Sequence, residues 1–350
     1  MLVTQQPILK RFWYPVMPMT ELATGPRPFT LLAQPLALWL DQQGIPQAVE
    51  DRCCHRTAQL SLGQVQGDAI QCPYHGWQFD GSGDCVKVPQ LESASSPKSY
   101  QVKSFACQAR YGYVWVCLQS PALQPIPEIP EVNDAGFRQI QQFDETWRCS
   151  GLRLMENSFD NSHPQFVHAQ TFGIQADPVP PQLDAFVEED YGLKVNYRLP
   201  VYNNDLQKAN LGMEDTAITV RISEGTWYLP FMRTLKITYP NGLIHLIFTA
   251  ATPIDDQHSQ VVQFCLRNDT EEQAKAADII AFDRQVTLED KRILESTDFD
   301  TPLSISVEQH MASDKPGIVM RHKLAALLKH YGEEEQGQNS APPPQEMAAV

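Results

Sequence analysis

Residues 53–77 read CCHRTAQLSLGQVQGDAIQCPYHGW and contain two short pairs of cysteine and histidine. Cys53 and His55 form a C-x-H pair, Cys72 and His75 form a C-x-x-H pair, and sixteen residues separate His55 from Cys72. Thiolate and imidazole are ligands that proteins offer to zinc and to iron–sulfur clusters. Because the chain has only nine histidines, two such pairs this close together predict a metal site.

Two kinds of metal centre are compatible with these four residues. A zinc ion takes all four ligands itself, whereas in a [2Fe–2S] centre of mixed ligation two histidines bind one iron and two cysteines bind the other. The pairs fit the second arrangement, because each pair lies on one tight loop and gives one ligand to each iron. Gly76 lets backbone N–H groups approach a cluster, and Trp77 can shield it from water. The sequence favours the cluster, and structural zinc is the alternative.

The two pairs stand in the motifs C-x-H-R and C-x-x-H-G-W, at Cys53–Arg56 and Cys72–Trp77. This stretch resembles the Rieske domain of the Rieske non-heme iron oxygenases. The resemblance implies a [2Fe–2S] cluster bound by Cys53, His55, Cys72 and His75. Cys54 occupies a variable position of the motif and is given no ligand role.

A second motif lies in MENSFDNSHPQFVHA, residues 155–169, where Asp160, His163 and His168 obey D-x-x-H-x-x-x-x-H. On one continuous helix, a step of five residues would separate the two histidines by about 140° of rotation. Pro164 disfavours helix at the residue before it and readily begins a new one, so a break there can bring His168 back toward His163. Two imidazoles and one carboxylate form the facial triad of non-heme Fe(II) oxygenases.

This segment resembles the catalytic segment of the same oxygenase family, which implies a mononuclear Fe(II) held by His163 and His168. The implied third ligand is Asp290 in TLEDKRILE, residues 287–295. Glu289 and Asp283 are alternative acids, and a solvated acidic helix face is the other interpretation. The resemblance also implies that Asp160 bridges His163 to His75 of a neighbouring subunit, which requires a head-to-tail ring such as a homotrimer.

Composition limits the class of protein. The chain has 350 residues, with 42 Asp+Glu against 27 Lys+Arg and a net charge of −15, which argues against nucleic acid as a partner. No apolar stretch is long enough for a membrane span or a secretory signal. Eight irregularly spaced cysteines do not resemble a disulfide scaffold. We therefore expect the protein in a reducing compartment. The cytoplasm is the first expectation, and an organelle stroma is also compatible.

The pattern of strands and helices predicts an α+β protein. We expect an all-β Rieske [2Fe–2S] domain at 1–120, a Pro-rich linker at 121–134, a catalytic domain at 135–332 and a disordered tail at 333–350. By resemblance the catalytic domain is a helix-grip fold with a curved antiparallel sheet around a long helix. That helix is predicted at 271–296, with an apolar face of Ile279, Phe282, Val286, Leu288 and Ile293.

The resemblance predicts a terminal oxygenase that uses O2. No G-x-G-x-x-G fingerprint is present, so electrons from NAD(P)H or reduced ferredoxin must arrive through a ferredoxin or a reductase. The length and the opening RFWYPVMP, residues 11–18, resemble the single-subunit branch with demethylases and pheophorbide a oxygenase-like enzymes. We expect monooxygenation, by hydroxylation or oxidative demethylation, of a small hydrophobic and cyclic substrate. The alternatives are ring cis-dihydroxylation, and an electron carrier or lipophilic-ligand binder without oxygenase activity.

Several residues of the second β-rich region are candidates for the substrate pocket, although core packing explains them equally well: Trp227, Leu229, Phe231, Leu243 and Ile247. His245 lies in an apolar strand, where it either faces the pocket or is a satisfied core histidine. The sequence alone leaves both alternatives open.

Overall fold

The computed structural model describes residues 1–91, 97–174, 179–213 and 218–337. These residues form antiparallel sheets and α-helices, which confirms the predicted α+β class. None of the helices in these ranges combines the length and the apolar character needed to cross a membrane.

Three small sheets occupy the first part of the chain. Their strands are β1 Tyr14–Pro18, β2 Arg27–Leu31, β3 Gln34–Leu40, β4 Pro46–Glu50, β5 Gln64–Gln66, β6 Ala69–Gln71, β7 Gln78–Phe79, β8 Cys85–Lys87, β9 Ala106–Arg110 and β10 Tyr113–Cys117. The strand orders are β1-β10-β9, β2-β3-β4 and β5-β6-β7-β8. Pairing is antiparallel throughout these sheets.

A compact apolar cluster supports the two Cys/His loops. Trp39, Ile70 and Phe79 are fully buried in it, and Cys53 and Cys72 pack against the same cluster. Close packing of this kind leaves little freedom for the loops that it carries. The loops therefore rest on a rigid base.

One large sheet forms most of the second part of the chain. Its strands are β11 Arg138–Trp147, β12 Leu183–Glu189, β13 Gly192–Tyr202, β14 Ile218–Tyr228, β15 Met232–Thr238, β16 Ile244–Pro253 and β17 Ser259–Arg267. Their order is β11-β17-β16-β15-β14-β13-β12. Along most of β14 buried and exposed residues alternate, the period of a sheet with one face toward the interior. The predicted antiparallel sheet is confirmed.

Five α-helices occur in the described ranges: α1 Gly151–Ser158, α2 Pro164–Val167, α3 Asp205–Leu211, α4 Ala276–Leu294 and α5 Lys315–His330. Helix α4 contacts β11, α1, α2 and α3.

The buried face of α4 differs from the predicted one. Ile279 and Phe282 are buried as expected, but Leu288 and Ile293 are 44% and 41% exposed. At 100° per residue, Leu288 lies about 240° from Phe282, away from the sheet. Asp283 is buried instead, at 7% exposure, so the inward face of this helix is partly acidic.

Two segments that the sequence assigned to a linker and a tail make specific contacts. Ile126 and Ile129, within 121–134, are buried at 1% and 3% exposure against the cluster that contains Trp115. Residues 333–337 are tied to the rest of the chain: Leu2 N donates to Gln336 O at 2.6 Å. Residues 338–350 lie outside the described ranges, so disorder there stays a prediction, as do the domain boundaries.

Candidate metal centres and active-site cavity

The first candidate centre lies on two tight turns. Cys53 and His55 follow β4, and the turn is closed by a hydrogen bond from Thr57 N to Cys53 O at 2.9 Å. Cys72 and His75 lie between β6 and β7, where Gly76 N donates to Cys72 O at 3.1 Å. Gly76 has φ +77°, and a side chain there would also approach Gln71 and Pro89. Glycine is therefore the residue that this turn accepts without strain.

The two turns bring all four predicted cluster ligands together. The rings of His55 and His75 lie 4.5 Å apart between centroids. Cys53 and Cys72 pack in one apolar cluster and are 1% and 2% exposed. Trp77 stacks flat on His55 at 4.6 Å, in the shielding position that the sequence suggested.

The chemistry of this donor set fits a cationic cluster. Burial, together with the neighbouring Cys72 thiol, raises the pKa of Cys53 to about 12. Two thiolates at this place consequently need a cation to hold them, and iron supplies that charge. His55 Nδ1 is buried without a hydrogen-bond partner among the described residues, as a nitrogen reserved for a metal would be.

The second candidate centre is formed where α1 and α2 meet α4. Helix α1 ends at Ser158, and Pro164 begins α2, so the predicted break is present. His163 precedes this short helix and His168 follows it, and their Nε2 atoms lie 3.2 Å apart. Asp290 Oδ1 lies 3.2 Å from His168 Nε2 and 3.5 Å from His163 Nε2. Two nitrogens and one oxygen thus converge on a single point.

This convergence fits a divalent metal ion. Asp290 Oδ1 is buried and has no hydrogen-bond partner within the described ranges. Burial acts to raise the pKa of Asp290, but the neighbouring imidazoles of His168 and His163 outweigh it, so the pKa is lowered. The carboxylate is therefore ionised at neutral pH, and two imidazoles with one carboxylate are a ligand set for non-heme iron.

Glu289, the rival of Asp290 in the sequence, takes a different position. Its Oε2 lies 2.9 Å from His168 Nδ1, on the side of the ring away from Asp290. Thr171 Oγ1 donates to the same oxygen at 2.9 Å. An acid that accepts from the outer nitrogen of a ligating histidine fixes its tautomer and orientation. The two consecutive acids of α4 therefore contact opposite nitrogens of one imidazole.

Asp160 lies beside the other histidine. Its Oδ2 is 3.5 Å from His163 Nδ1, and its Oδ1 accepts a hydrogen bond from Ser162 N at 2.7 Å. Burial acts to raise the pKa of Asp160, but the contacts with His163 and Ser162 outweigh it and lower the pKa. Within the described part of a single chain, Asp160 makes no hydrogen bond or ion pair with His75.

A cavity of about 110 Å³ opens between the large sheet and α4, next to the second centre. His163, His168 and Asp290 are among the residues that line it. The walls are mostly apolar or aromatic: Phe172, Tyr197, Leu199, Leu235, Ile237, Tyr239, Ile247, Phe282 and Val286. Pockets of this composition hold small organic molecules, and the few polar groups fix their orientation.

Only part of the predicted pocket lining is correct. Ile247 lines the cavity, but Trp227, Leu229 and Phe231 belong to the main core, and Leu243 packs in a separate small cluster. Leu229, Phe231 and Leu243 also lie in the turns before and after β15 and not on the predicted strands.

His245 does face the cavity, at 5% exposure. Its Nε2 lies 3.2 Å from Asp283 Oδ2, and Gln142 Nε2 donates to the same carboxylate. A hydrogen bond from Gln263 Nε2 to Gln142 Oε1, at 2.8 Å, extends this network along the cavity wall. Asp283 is thus part of the cavity wall and does not lie with His163 and His168.

Two arginines of the cavity wall were not anticipated from the sequence. Arg221, on β14, lies over the ring of Phe172 at 4.4 Å. Arg233, on β15, reaches the cavity with no aromatic or acidic contact within bonding distance among the described residues. Both arginines lie on β-strands, where the sequence does not show whether an arginine side chain points toward the interior or toward solvent.

Comparison with known proteins places both halves of the chain. Residues 12–106 match the Rieske [2Fe–2S] domain, and residues 147–330 match the C-terminal domain of vanillate O-demethylase oxygenase. The chain belongs to the Rieske oxygenases, which are oxidoreductases that use O2 and depend on iron.

Within this family the chain is similar over nearly its full length to two enzymes of Pseudomonas putida. It is 32% identical to methylxanthine N1-demethylase over 95% of this chain and 93% of that protein. It is 28% identical to methylxanthine N3-demethylase over 95% and 94%. The solved structure of the N1-demethylase with caffeine matches at a TM-score of 0.83, with 28% identity over 94% of each chain. Dicamba monooxygenase, at 21% identity and a TM-score of 0.80, shares the fold.

Proposed function

We propose that this protein is the terminal oxygenase of a demethylating monooxygenase system, acting on an N- or O-methyl group of a small cyclic substrate. The observation that carries the proposal is the position of His163, His168 and Asp290 at one end of a largely apolar cavity. The similar methylxanthine demethylases, and the vanillate O-demethylase domain, support demethylation as the reaction.

Seven residues hold the two metal centres in this proposal. Cys53, His55, Cys72 and His75 bind the [2Fe–2S] cluster, and His163, His168 and Asp290 bind mononuclear Fe(II). When bound, the cluster supplies single electrons and the Fe(II) supplies the place at which O2 is activated. The alternative of an electron carrier predicts Asp290 in solvent, whereas its side chain is 14% exposed and directed at both imidazoles.

The remaining residues of the site position these ligands and the substrate. Glu289 and Thr171 keep His168 with Nδ1 protonated and Nε2 free. Asp160 Oδ2 lies 3.5 Å from His163 Nδ1, so its negative charge favours the orientation that turns Nε2 of His163 toward Asp290. The apolar walls exclude water and place a ring against Leu235, Ile247 and Val286, so that a methyl group faces the histidines.

The overall reaction needs electrons from outside the chain. Removal of one methyl group follows R–X–CH3 + O2 + 2e⁻ + 2H⁺ → R–XH + HCHO + H2O, where X is nitrogen or oxygen. A ferredoxin, a reductase or both deliver the electrons from NAD(P)H. The C–H bond of the methyl group is oxidised, and the resulting carbinol releases formaldehyde.

A head-to-tail homotrimer completes the proposal. Asp160 is 30% exposed, so its carboxylate remains accessible to His75 of a neighbouring subunit. Tyr74, beside His75, is 65% exposed, and Phe166, between the two iron-binding histidines, is 64% exposed. Large apolar side chains at both positions give each subunit a surface that a neighbour can cover.

Ring cis-dihydroxylation is the second candidate. Over 73% of its own length, this chain is also 27% identical to the oxygenase subunit of 3-chlorobenzoate-3,4-dioxygenase from Comamonas testosteroni. One experiment separates the two. The iron-loaded protein, reduced by a ferredoxin–reductase pair and NADH, is given matched panels of N-methyl, O-methyl and unmethylated aromatic compounds under ¹⁸O2. We expect formaldehyde in proportion to O2 consumed from methylated compounds, and none with His163→Ala. Labelled cis-diols without formaldehyde would instead establish dihydroxylation.

A further inference from the structure

Arg233 occupies an unusual position in the cavity wall. It lies on β15 in register with Thr249 of β16, which is itself in register with Gln263 of β17. Its Nε and Nη1 atoms are buried, and no described residue accepts a hydrogen bond from them. Burial lowers the pKa of Arg233, yet a guanidinium remains protonated at neutral pH. The wall therefore presents a positive charge whose Nε and Nη1 donors are buried and unused among the described residues.

Several polar groups around Arg233 are engaged with other residues. Thr249 Oγ1 donates to Gln263 Oε1 at 3.0 Å. Asp283 accepts from Gln142, and Asp290 faces His163 and His168. The charges of Asp290 and Asp283 support the guanidinium from a distance, but neither forms an ion pair with it in the described ranges.

The two most deeply buried arginines of the described ranges, Arg267 and Arg321, are paired within the chain. Arg267, at 1% exposure, donates to Asp269 and to Asn210 O. Arg321, at 2% exposure, pairs with Glu156. A buried charge without a partner is costly to keep, so its donors are expected to meet a partner that arrives with the ligand.

We propose that Arg233 determines substrate specificity by binding an anionic oxygen of the substrate, so that the enzyme selects a methylated aromatic acid over its neutral analogue. This inference rests on the proposed function and names the substrate class of the same site. A planar guanidinium matches a carboxylate with two parallel hydrogen bonds. Arg233, Leu235 and Ile247 line the same cavity as His163, His168 and Asp290, so one bound molecule can contact both the guanidinium and the proposed iron site.

The test compares binding of acids with that of neutral analogues of similar shape. Calorimetry on the iron-loaded protein uses 4-methoxybenzoate with 4-methoxybenzamide, and 1-methylurate with 1-methylxanthine. The first acid carries a carboxylate, and the second is a purine anion whose charge is shared with its exocyclic oxygens, so the two pairs distinguish the two sources of negative charge. We expect at least one of the acids to bind 30-fold or more tightly than its neutral partner.

Variants assign that preference to Arg233. Arg233→Met should weaken binding of the preferred acid by 30- to 1000-fold and change binding of the neutral partner by less than threefold. Arg233→Lys keeps the charge but cannot make two parallel hydrogen bonds, so its affinity for the acid should lie between those of the unchanged protein and Arg233→Met. Arg198→Gln removes an equal charge from the exposed face of β13, where the side chain is 66% exposed, and should leave both affinities unchanged.

Thermal unfolding without ligand provides an independent measurement. Removing an unpaired buried charge should raise the Tm of Arg233→Met, whereas a residue that stabilises the fold would give a lower Tm. Equal binding of acids and neutral analogues, failure of both acids to bind, or an unchanged preference in Arg233→Met would overturn the inference.

The inference and the proposed function fail in different ways. Arg233-dependent binding of an acid without formaldehyde release would reject demethylation and keep the binding role. Equal formaldehyde release from acid and amide would reject the binding role and keep demethylation.

Discussion

Replacing Glu289 by Gln tests how the second centre is organised. The variant keeps the shape of the side chain but removes the negative charge that faces His168 Nδ1 at 2.9 Å. Loss of such an outer partner costs about 10- to 100-fold in metal affinity, which corresponds to about 1.4–2.7 kcal/mol. Because Glu289 is not on the metal side of the ring, we expect weaker binding of Fe(II) and an intact ligand set.

The measurement is an anaerobic titration of Fe(II) into protein from which the mononuclear metal has been removed with a chelator. Asp290→Ala removes a proposed ligand and should lower the affinity far more than Glu289→Gln does. Asp278→Asn is the matched control, since it neutralises an exposed acid of the same helix, and should bind Fe(II) as the unchanged protein does. If Glu289→Gln abolished binding while Asp290→Ala retained it, the assignment of the two acids would be reversed.

Four further predictions concern the bridge and the stability of the fold. Asp160→Asn should leave iron content and the spectrum of the cluster unchanged while turnover falls at least 100-fold; full turnover would rule out the bridging role. Arg321→Met should lower the free energy of unfolding by about 3 kcal/mol, because it removes the most deeply buried cation from Glu156 and Glu308 and leaves both acids to share Arg153; urea unfolding measures this, and a change below 1 kcal/mol would argue against it. Burial acts to raise the pKa of Glu308, but Arg153 and Arg321 outweigh it and lower the pKa; its stabilisation is therefore present above the ordinary pKa of 4.5 and lost as the pH falls through the lowered value, and Glu308→Gln should flatten the acid limb of a Tm-against-pH curve. Gly83→Ala should destabilise by about 3 kcal/mol, since φ is +86° and a Cβ would meet Val102 O at 2.0 Å; an unchanged midpoint in urea would contradict this.

The features that the sequence predicted well depend on short-range geometry. The C-x-H and C-x-x-H pairs each occupy one turn, so their spacing alone determines that both residues face the same side. Pro164 begins α2, as its fixed φ favours, but His163 before it keeps helical dihedrals and α1 already ends at Ser158, so the proline explains the start of α2 and not the end of α1.

The roles of individual side chains on α4 and β15 depend on how these elements pack against their neighbours, which the sequence alone did not predict. Glu289 and Asp290 differ by 100° of helix rotation, and only the position of α4 against α2 decides which acid meets Nε2 of His168. The prediction that Leu288 is buried was wrong because the sequence does not show which face of α4 packs against the rest of the chain. Arg233 was missed because β15 has interior on both faces, with Met232 in the core and Arg233 in the cavity.

Helix α4 carries both side chains that line the cavity and side chains that contact His168. Phe282 and Val286 touch whatever occupies the cavity, and Glu289 and Asp290 hold His168 from its two sides. Val286 and Asp290 are one turn apart, about 6 Å along the axis. A bound molecule that displaces α4 would therefore also move Glu289 and Asp290 away from His168. Binding in the cavity is in this way coupled to the geometry of the proposed iron site, without movement of a loop.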